Sequence, residues 1–311
     1  MYRASRFITL GLDMNIPLRK QRILNAFIFI LPGLLLYLIF VIYPILKTFQ
    51  MSFYEWNIMP GKPSEWVGIG NYIRALNDPV VRISLRNTAM YTLVTVPGQL
   101  VLALVAALLM NYITRGRTFF RTLYYLPVIT SWVVVSLLFN YLFQSPKGIV
   151  NHILVNVLHL IAEPIPWFLN ASTAFIPIEA LGIWKGIGWG MVIFLAALLA
   201  IPQELYEAAA IDGANAWQRL IKITLPLIRP TLVFMSVILM IGGFNVFISV
   251  VLITRGGPLQ RTEVMLSYMY HQAFDFLDFG YGAAIAFILA AIIITLSFLQ
   301  IRFLRRPAEI S

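Results

Sequence analysis

ELYEAAAIDGANAWQRLIKITLP, residues 204–226, is a polar, alanine-rich stretch set between two long apolar runs. Gln203 to Ile211 is rich in strong helix formers, and Asp212-Gly213 supplies residue types that end one helix in a left-handed turn and let another start in a new direction. The expectation is two short helices at an angle, with Gly213 at positive φ. In the second, Trp217, Leu220, Ile221 and Thr224 recur at helical spacing on one face while Gln218, Arg219 and Lys222 lie away from it, the pattern of a helix at a membrane surface or in a protein groove. Pro226 is expected to stop that helix. The small side chains of Ala208, Ala209 and Ala210 let another protein approach the backbone closely, and Glu207 offers it a charge. The plainer alternative is a solvated interfacial loop.

The flanking runs place this segment in a membrane protein. Of 311 residues 60% are hydrophobic and 12% charged, and the mean hydropathy is +0.82; an ordinary soluble domain has about a quarter of its residues charged. Runs of about 20 residues, enough to cross a bilayer, centre on residues 26–48, 89–111, 123–143, 175–200, 231–253 and 281–304. The fold class expected is therefore an all-α membrane protein with six transmembrane helices. It divides into an N-terminal segment 1–25, a six-span domain 26–304 containing the loop 203–226, and a tail 305–311.

Basic residues near span ends set the orientation. Arg3, Arg6, Arg19, Lys20 and Arg22 precede the first span; Arg115, Arg117 and Arg121 lie between the second and third; Arg219, Lys222 and Arg229 belong to the quoted loop; Arg302, Arg305 and Arg306 close the chain. With six spans all four groups share one side. The other side has Lys62, Arg74, Arg82 and Arg86, then Lys147, then Arg255 and Arg261. Both termini and the loop are thus expected to be cytoplasmic, in a multi-pass protein of the cell membrane. The net charge of +10 reflects topology and anionic lipid, and nucleic-acid binding finds no support in basic residues spread over separate loops. The first run is too long for a signal peptide and lacks a small-x-small cleavage site, so it reads as a retained span; Met14, opening MNIPLRKQRI, is an alternative start. The absence of cysteine excludes disulfides and thiolate metal sites.

The spacing Glu207-Ala208-Ala209, three residues, Gly213, nine residues, then Ile223-x-Leu225-Pro226 resembles, position for position, the EAA loop of binding-protein-dependent ABC permeases. Weaker likenesses to the carbohydrate-importing branch, of the maltose and glycerol-3-phosphate type, run from Ala26 to Arg306: Gly68-Ile69-Gly70-Asn71-Tyr72, Asp78-Pro79, Asn87-Thr88, Leu126-Pro127, Gly148-Ile149-Val150-Asn151, Arg255-Gly256-Gly257-Pro258 and Phe279-Gly280-Tyr281-Gly282-Ala283-Ala284. The chain departs from that branch at Phe139, near which relatives often carry tryptophan, and at Arg255, usually one more glycine. The resemblance implies a type I importer permease with a second homologous permease, two copies of a cytoplasmic ATPase and an external solute-binding protein as partners. It implies that Glu207, Ala208, Ala209, Asp212 and Gly213 dock the ATPase. It implies no cofactor on this chain, ATP and magnesium being held by the ATPase.

Candidates for the solute path are few. Gly182, Gly186 and Gly190 form a small-residue stripe with Gly188 beside them, which serves close helix packing or leaves room for a solute. Trp184 and Trp189 flank it and offer flat faces to sugar rings or to the membrane interface. Lys185 is the one basic residue well inside a span, where a charge costs at least about 2.5 kcal/mol unless it snorkels or faces a cavity. In Gly242-Gly243-Phe244-Asn245, two helix-weakening residues and an amide lie near mid-membrane, and in sugar-type relatives the region before the Phe-Asn pair lines the path; Gly243 and Asn245 are assigned to it by that resemblance, against interhelical hydrogen bonding.

No phosphate-loop pattern is present, so the chain is not itself the ATPase. His152, His159 and His271 lack metal-ligand spacing and are expected at the surface of outer loops. An ion-coupled secondary carrier is the alternative function, but the spans have almost no acidic residues and no evident repeat. A membrane enzyme would need a polar catalytic cluster, and none is seen.

Overall fold

The structure is a computed structural model that describes residues 18–58, 61, 63–113 and 115–304. Arg3, Arg6, Lys62, Arg305, Arg306, the alternative start at Met14 and the tail 305–311 lie outside the described residues. The chain forms two units, Met1–Gln50 and Met51–Ser311. The described part of the first is helical: α1 (Leu18–Tyr37) runs through a π-helical turn, Leu38–Ile42, into α2 (Tyr43–Met51).

The second unit opens with a minimal antiparallel ribbon, β1 (Tyr54–Glu55) and β2 (Glu65–Trp66), with Tyr54 opposite Trp66. This ribbon is a small addition to the all-α architecture expected. The helices follow in order: α3 (Gly70–Asn77), α4 (Pro79–Tyr112), α5 (Arg117–Ile129), α6 (Trp132–Leu142), α7 (Ile149–His152) and α8 (Ala171–Leu199). Beyond them lie α9 (Gln203–Ile211), α10 (Ala216–Arg219), α11 (Leu225–Leu227), α12 (Arg229–Phe244), α13 (Ile248–Ile253), α14 (Met265–Tyr270) and α15 (Phe279–Leu304). Among the described residues, four helices are long and apolar enough to cross a bilayer: Asn25–Met51, Pro79–Tyr112, Ala171–Leu199 and Phe279–Leu304. Two bent pairs bring the number to as many as six.

The centre of the unit is the α4/α8 pair. Their contacts ascend together: a side chain at Gly182 would meet Tyr91 and Thr95, one at Gly186 would meet Gln99, and one at Gly190 would meet Ala103. The helices are therefore parallel, and the glycine stripe is a packing seam. Toward the Tyr112 end this seam broadens into a core of Ala103, Ala107, Met110, Met191, Phe194 and Ile228. Toward the Pro79 end, Tyr91, Ile178 and Leu181 pack with Val135 of α6 and Val250 and Ile253 of α13.

Two expected spans are not single rods. The third breaks at Thr130–Ser131, where α5 and α6 meet at 92°. The fifth breaks at Asn245–Phe247, between α12 and α13. Unpaired backbone in a membrane must be buried in protein or line a cavity; both breaks adjoin cavities, and the first is also met by a buried side chain from α8.

Candidate functional site

The break in the third span leaves carbonyls at the end of α5 without helical partners. Lys185 of α8 takes them: its Nζ donates to Pro127 O at 2.7 Å, Thr130 O at 2.6 Å and Val128 O at 3.3 Å, and lies 5.1 Å from the centre of the Trp132 ring. An ammonium with three donors at the negative end of a helix is well matched to this position. Only 6% of Lys185 is exposed, so it neither snorkels to an interface nor faces open space. Beside it, any side chain at Gly188 would run into the Tyr124 carbonyl, so α5 and α8 meet there backbone to backbone.

The break in the fifth span opens on a cavity of about 530 Å³ lined by Tyr91, Trp132, Gly242, Asn245, Phe247 and Tyr270, among others. Asn245 is exposed there, its Nδ2 donating to Ile241 O at 2.8 Å and so closing the last turn of α12. The two adjacent glycines differ. Gly242 has open space where a side chain would be, whereas at Gly243 a Cβ would come within 2.8 Å of Thr92 Oγ1. Of the residues expected on the solute path, Asn245 is thus at the cavity, Gly243 packs on α4, Gly186 packs on Gln99, Trp189 packs against the α4/α8 core, and Lys185 holds the α5 end. Tyr91, Trp132 and Tyr270 went unread in the sequence, because the elements that bring them together are far apart along the chain.

The loop 203–226 forms two helical pieces. The first ends in a Schellman turn: Gly213 has φ +76°, its N–H donates to Ala210 O at 3.1 Å, and Ala214 N donates to Ala209 O at 2.8 Å. The second starts with a capping box, Gln218 N donating to Asn215 Oδ1 and Asn215 N to Gln218 Oε1, each at 2.8 Å. Asn215-x-x-Gln218 is the sequence signature of that box. Tyr206 and Thr224 are joined through their hydroxyls at 2.9 Å, tying the two pieces together. Glu207, Ala208, Asp212 and Gly213 are exposed and Ala209 is half-buried.

Two details depart from expectation. The face read as Trp217, Leu220, Ile221 and Thr224 splits, with Trp217 and Ile221 exposed and Thr224 buried, because Leu220–Thr224 is a π-helical turn that shifts the register. Helical conformation also continues past Pro226 to Leu227, and the chain turns by 67° only at Ile228. Proline at the start of a helical turn needs no N–H, so it marks the turn without ending it.

At the opposite end of the bundle the weaker motifs converge. Asp78 caps α4 through Val80 N at 2.7 Å, and its other oxygen accepts from Tyr268 at 2.7 Å and Tyr281 at 2.6 Å. Burial alone would raise the Asp78 carboxyl, but these two hydroxyls and the backbone N–H groups of Val80 and Val81 hold it below its ordinary value. Arg74 pairs with Asp278 at 2.6 Å and lies over the Tyr281 ring at 3.8 Å. Asn71 bridges the carbonyls of Ser52 and Tyr54, and a side chain at Gly280 would strike that same Tyr54 carbonyl. Glu263 is buried and bonded to Ser267, with His271 Nε2 at 3.6 Å. Burial holds its carboxyl above the ordinary value. His271, which also pairs with Asp275, is half-buried; His152 and His159 are exposed. Among the described residues no cluster of His, Asp and Glu could hold a metal ion.

Among the described residues, four to six bilayer-length helices, two of the expected spans broken, around a half-open cavity define the class: a multi-pass membrane protein with an opening among its helices. Residues 99–308 match the family described as the binding-protein-dependent transport system inner membrane component. The lactose transport system permease protein LacF of Rhizobium radiobacter is 34% identical over 287 residues, spanning 91% of this chain and 95% of LacF. The inner membrane ABC transporter permease protein YcjO of Escherichia coli (strain K12) is 36% identical over 268 residues, 86% of this chain and 90% of YcjO. In structure, the chain superimposes with TM-score 0.81 on a bacterial alginate ABC transporter crystallised with an alginate pentasaccharide-bound periplasmic protein, at 22% identity, covering 94% of this chain and 97% of that one. The chain belongs to the binding-protein-dependent permease family, within its carbohydrate-import branch. It is a non-catalytic, multi-pass membrane subunit of an ATP-driven importer.

Proposed function

We propose that this chain is one six-span half of a type I importer for a carbohydrate or a glycerol-phosphate-like solute, working with a second homologous permease, a dimer of ATPase subunits that hold ATP and magnesium, and an external solute-binding protein. The names of LacF and of the alginate transporter support a saccharide. The domain limits proposed are 26–304 for the permease, with coupling loop 203–226, flanked by segments 1–25 and 305–311.

The observation that carries the reading is the projecting helix pair. Its turn is fixed by a left-handed glycine and a capping box, so a push on Glu207, Ala208, Ala209, Asp212 or Gly213 is passed to α12 through α10 and α11 as through a stiff lever. Arg115, Arg121, Arg219, Lys222, Arg229 and Arg302 gather at this end, and Arg229 reaches Leu304 O at 3.5 Å. That clustering supports a cytoplasmic loop and cytoplasmic termini. The open Asn245 break supports a solute path at mid-depth.

Gly213→Val forces a β-branched residue into the left-handed region, at about 1–3 kcal/mol of strain, and Glu207→Lys inverts the charge offered to the ATPase. Both proteins should insert normally, since neither residue lies in a span. Uptake by the reconstituted complex, and stimulation of ATP hydrolysis by liganded binding protein, should fall severalfold or more. Parental uptake with unchanged stimulation in both variants would refute the coupling assignment.

A further inference from the structure

A second cavity, of about 730 Å³, lies between the starts of α4 and α8, away from the Asn245 break. Its wall on α4 carries Arg86 and Asn87, its wall on α8 carries Ser172, Phe175 and Glu179, and Arg261 closes it from the segment before α14. Asn87 builds the rim: its amide donates to Arg261 O and Glu263 O, each at 2.8 Å, pinning that segment over the opening. Arg86 and Arg261 are exposed, and neither pairs with a carboxylate among the described residues. Glu179 is half-buried within α8, and no hydrogen bond or ion pair engages it among the described residues. An ionisable group within a span and without a partner is costly unless a ligand or water-filled cavity meets it. Tyr91, which lines the 530 Å³ cavity, lies within electrostatic reach of Glu179, so the two cavities are neighbours through α4 and α8.

Two free guanidiniums, one carboxylate, a hydroxyl and an aromatic ring in a space of this size suit one kind of ligand. The guanidiniums bind a carboxylate or sulfonate, Glu179 accepts from ring hydroxyls, and Phe175 offers its face to the apolar C–H side of a pyranose. We infer that this cavity is an outer subsite for an anionic saccharide unit, upstream of the Asn245 cavity; the inference rests on the importer reading and sharpens its substrate class.

The complete transporter, this chain with its partner subunits in phosphatidylcholine nanodiscs, tests it by saturation-transfer NMR without nucleotide, using digalacturonate and lactose as probes. Digalacturonate should bind, with transfer strongest at ring C–H protons, and should weaken roughly tenfold or more in Arg86→Gln/Arg261→Gln and with rising salt. Lactose should respond to neither change. Both arginines are exposed, so the substitutions leave the fold intact, and Phe175→Leu should reduce transfer to the ring protons specifically. Absence of digalacturonate binding, binding indifferent to the double substitution, or equal weakening of both probes overturns the proposal. Loss of binding when phosphatidylglycerol replaces phosphatidylcholine identifies a lipid headgroup as the occupant and overturns it too. Failure of the importer reading would show separately, as no ATP-driven uptake by the unmodified complex, because this binding requires no turnover.

Discussion

The third and fifth spans are both interrupted, and they deal with the interruption in opposite ways. At Thr130–Ser131 the freed carbonyls are taken by a buried lysine from a neighbouring helix. At Asn245–Phe247 the break faces a cavity, and the local amide only closes its own helix end. At the first break the lysine answers the polarity, although Thr130 and Ser131 are exposed and Pro127 and Thr130 line a cavity of about 510 Å³ of their own. At the second, the exposed Asn245 side chain faces the cavity with its Nδ2 already spent on Ile241 O. Polar backbone within a membrane helix therefore does not by itself mark a solute path; what fills the gap decides.

The strongest way to break this contrast is to remove the lysine at the first break. Lys185→Met keeps the volume and removes the donor to Val128 O and Thr130 O, while Pro127 O keeps its bond from Thr130 Oγ1, at a cost on the order of 2 kcal/mol. The yield of assembled complex in detergent should drop sharply and its melting temperature fall by several degrees. Lys185→Arg should recover part of both. A Lys185→Met complex as stable as the parent, with only uptake lost, would make the lysine a solute contact after all.

The paired glycines give the next largest effect. Gly243→Ala sets a methyl against Thr92 and should destabilise by about 1–3 kcal/mol. Gly242→Ala, with nothing within 4 Å, should leave thermal stability unchanged and act, if at all, on uptake alone. Equal stability losses for the two variants would mean that the cavity is closed in the working complex.

The smallest effect on stability is expected at the open break itself. Asn245→Leu loses one hydrogen bond, about 0.5–1.5 kcal/mol, while assembly and basal ATP hydrolysis stay near the parental level and uptake falls. Loss of assembly would move Asn245 into the same class as Lys185.

The sequence made one break visible and concealed the other. Gly242-Gly243-Phe244-Asn245 announces a weakened helix end because each residue acts locally. The joint at Thr130 depends on Lys185, 55 residues on, and a lone lysine in an apolar run looks the same whether it snorkels or plugs a gap. Likewise, Asp212-Gly213 showed the turn of the coupling loop, whereas the π-helical turn that splits its apolar face leaves no residue signature. Asp78-Pro79 and Gly280-Tyr281 stood out as motifs before their meaning did: they lie some 200 residues apart and meet in a single carboxylate–tyrosine bond.

The glycine seam between α4 and α8 has a mechanical corollary. Its contacts repeat every four residues, with Gly182 seated against Tyr91 and Thr95, Gly186 against Gln99 and Gly190 against Ala103, so sliding one helix along the other would have to skip a full turn, about 5.4 Å, and unseat every tooth at once. Such a pair behaves as a ratchet held in one notch. The seam is thus the stiff part of the unit, and α5, held to α8 by Lys185 and by the close approach at Gly188, is fastened to it.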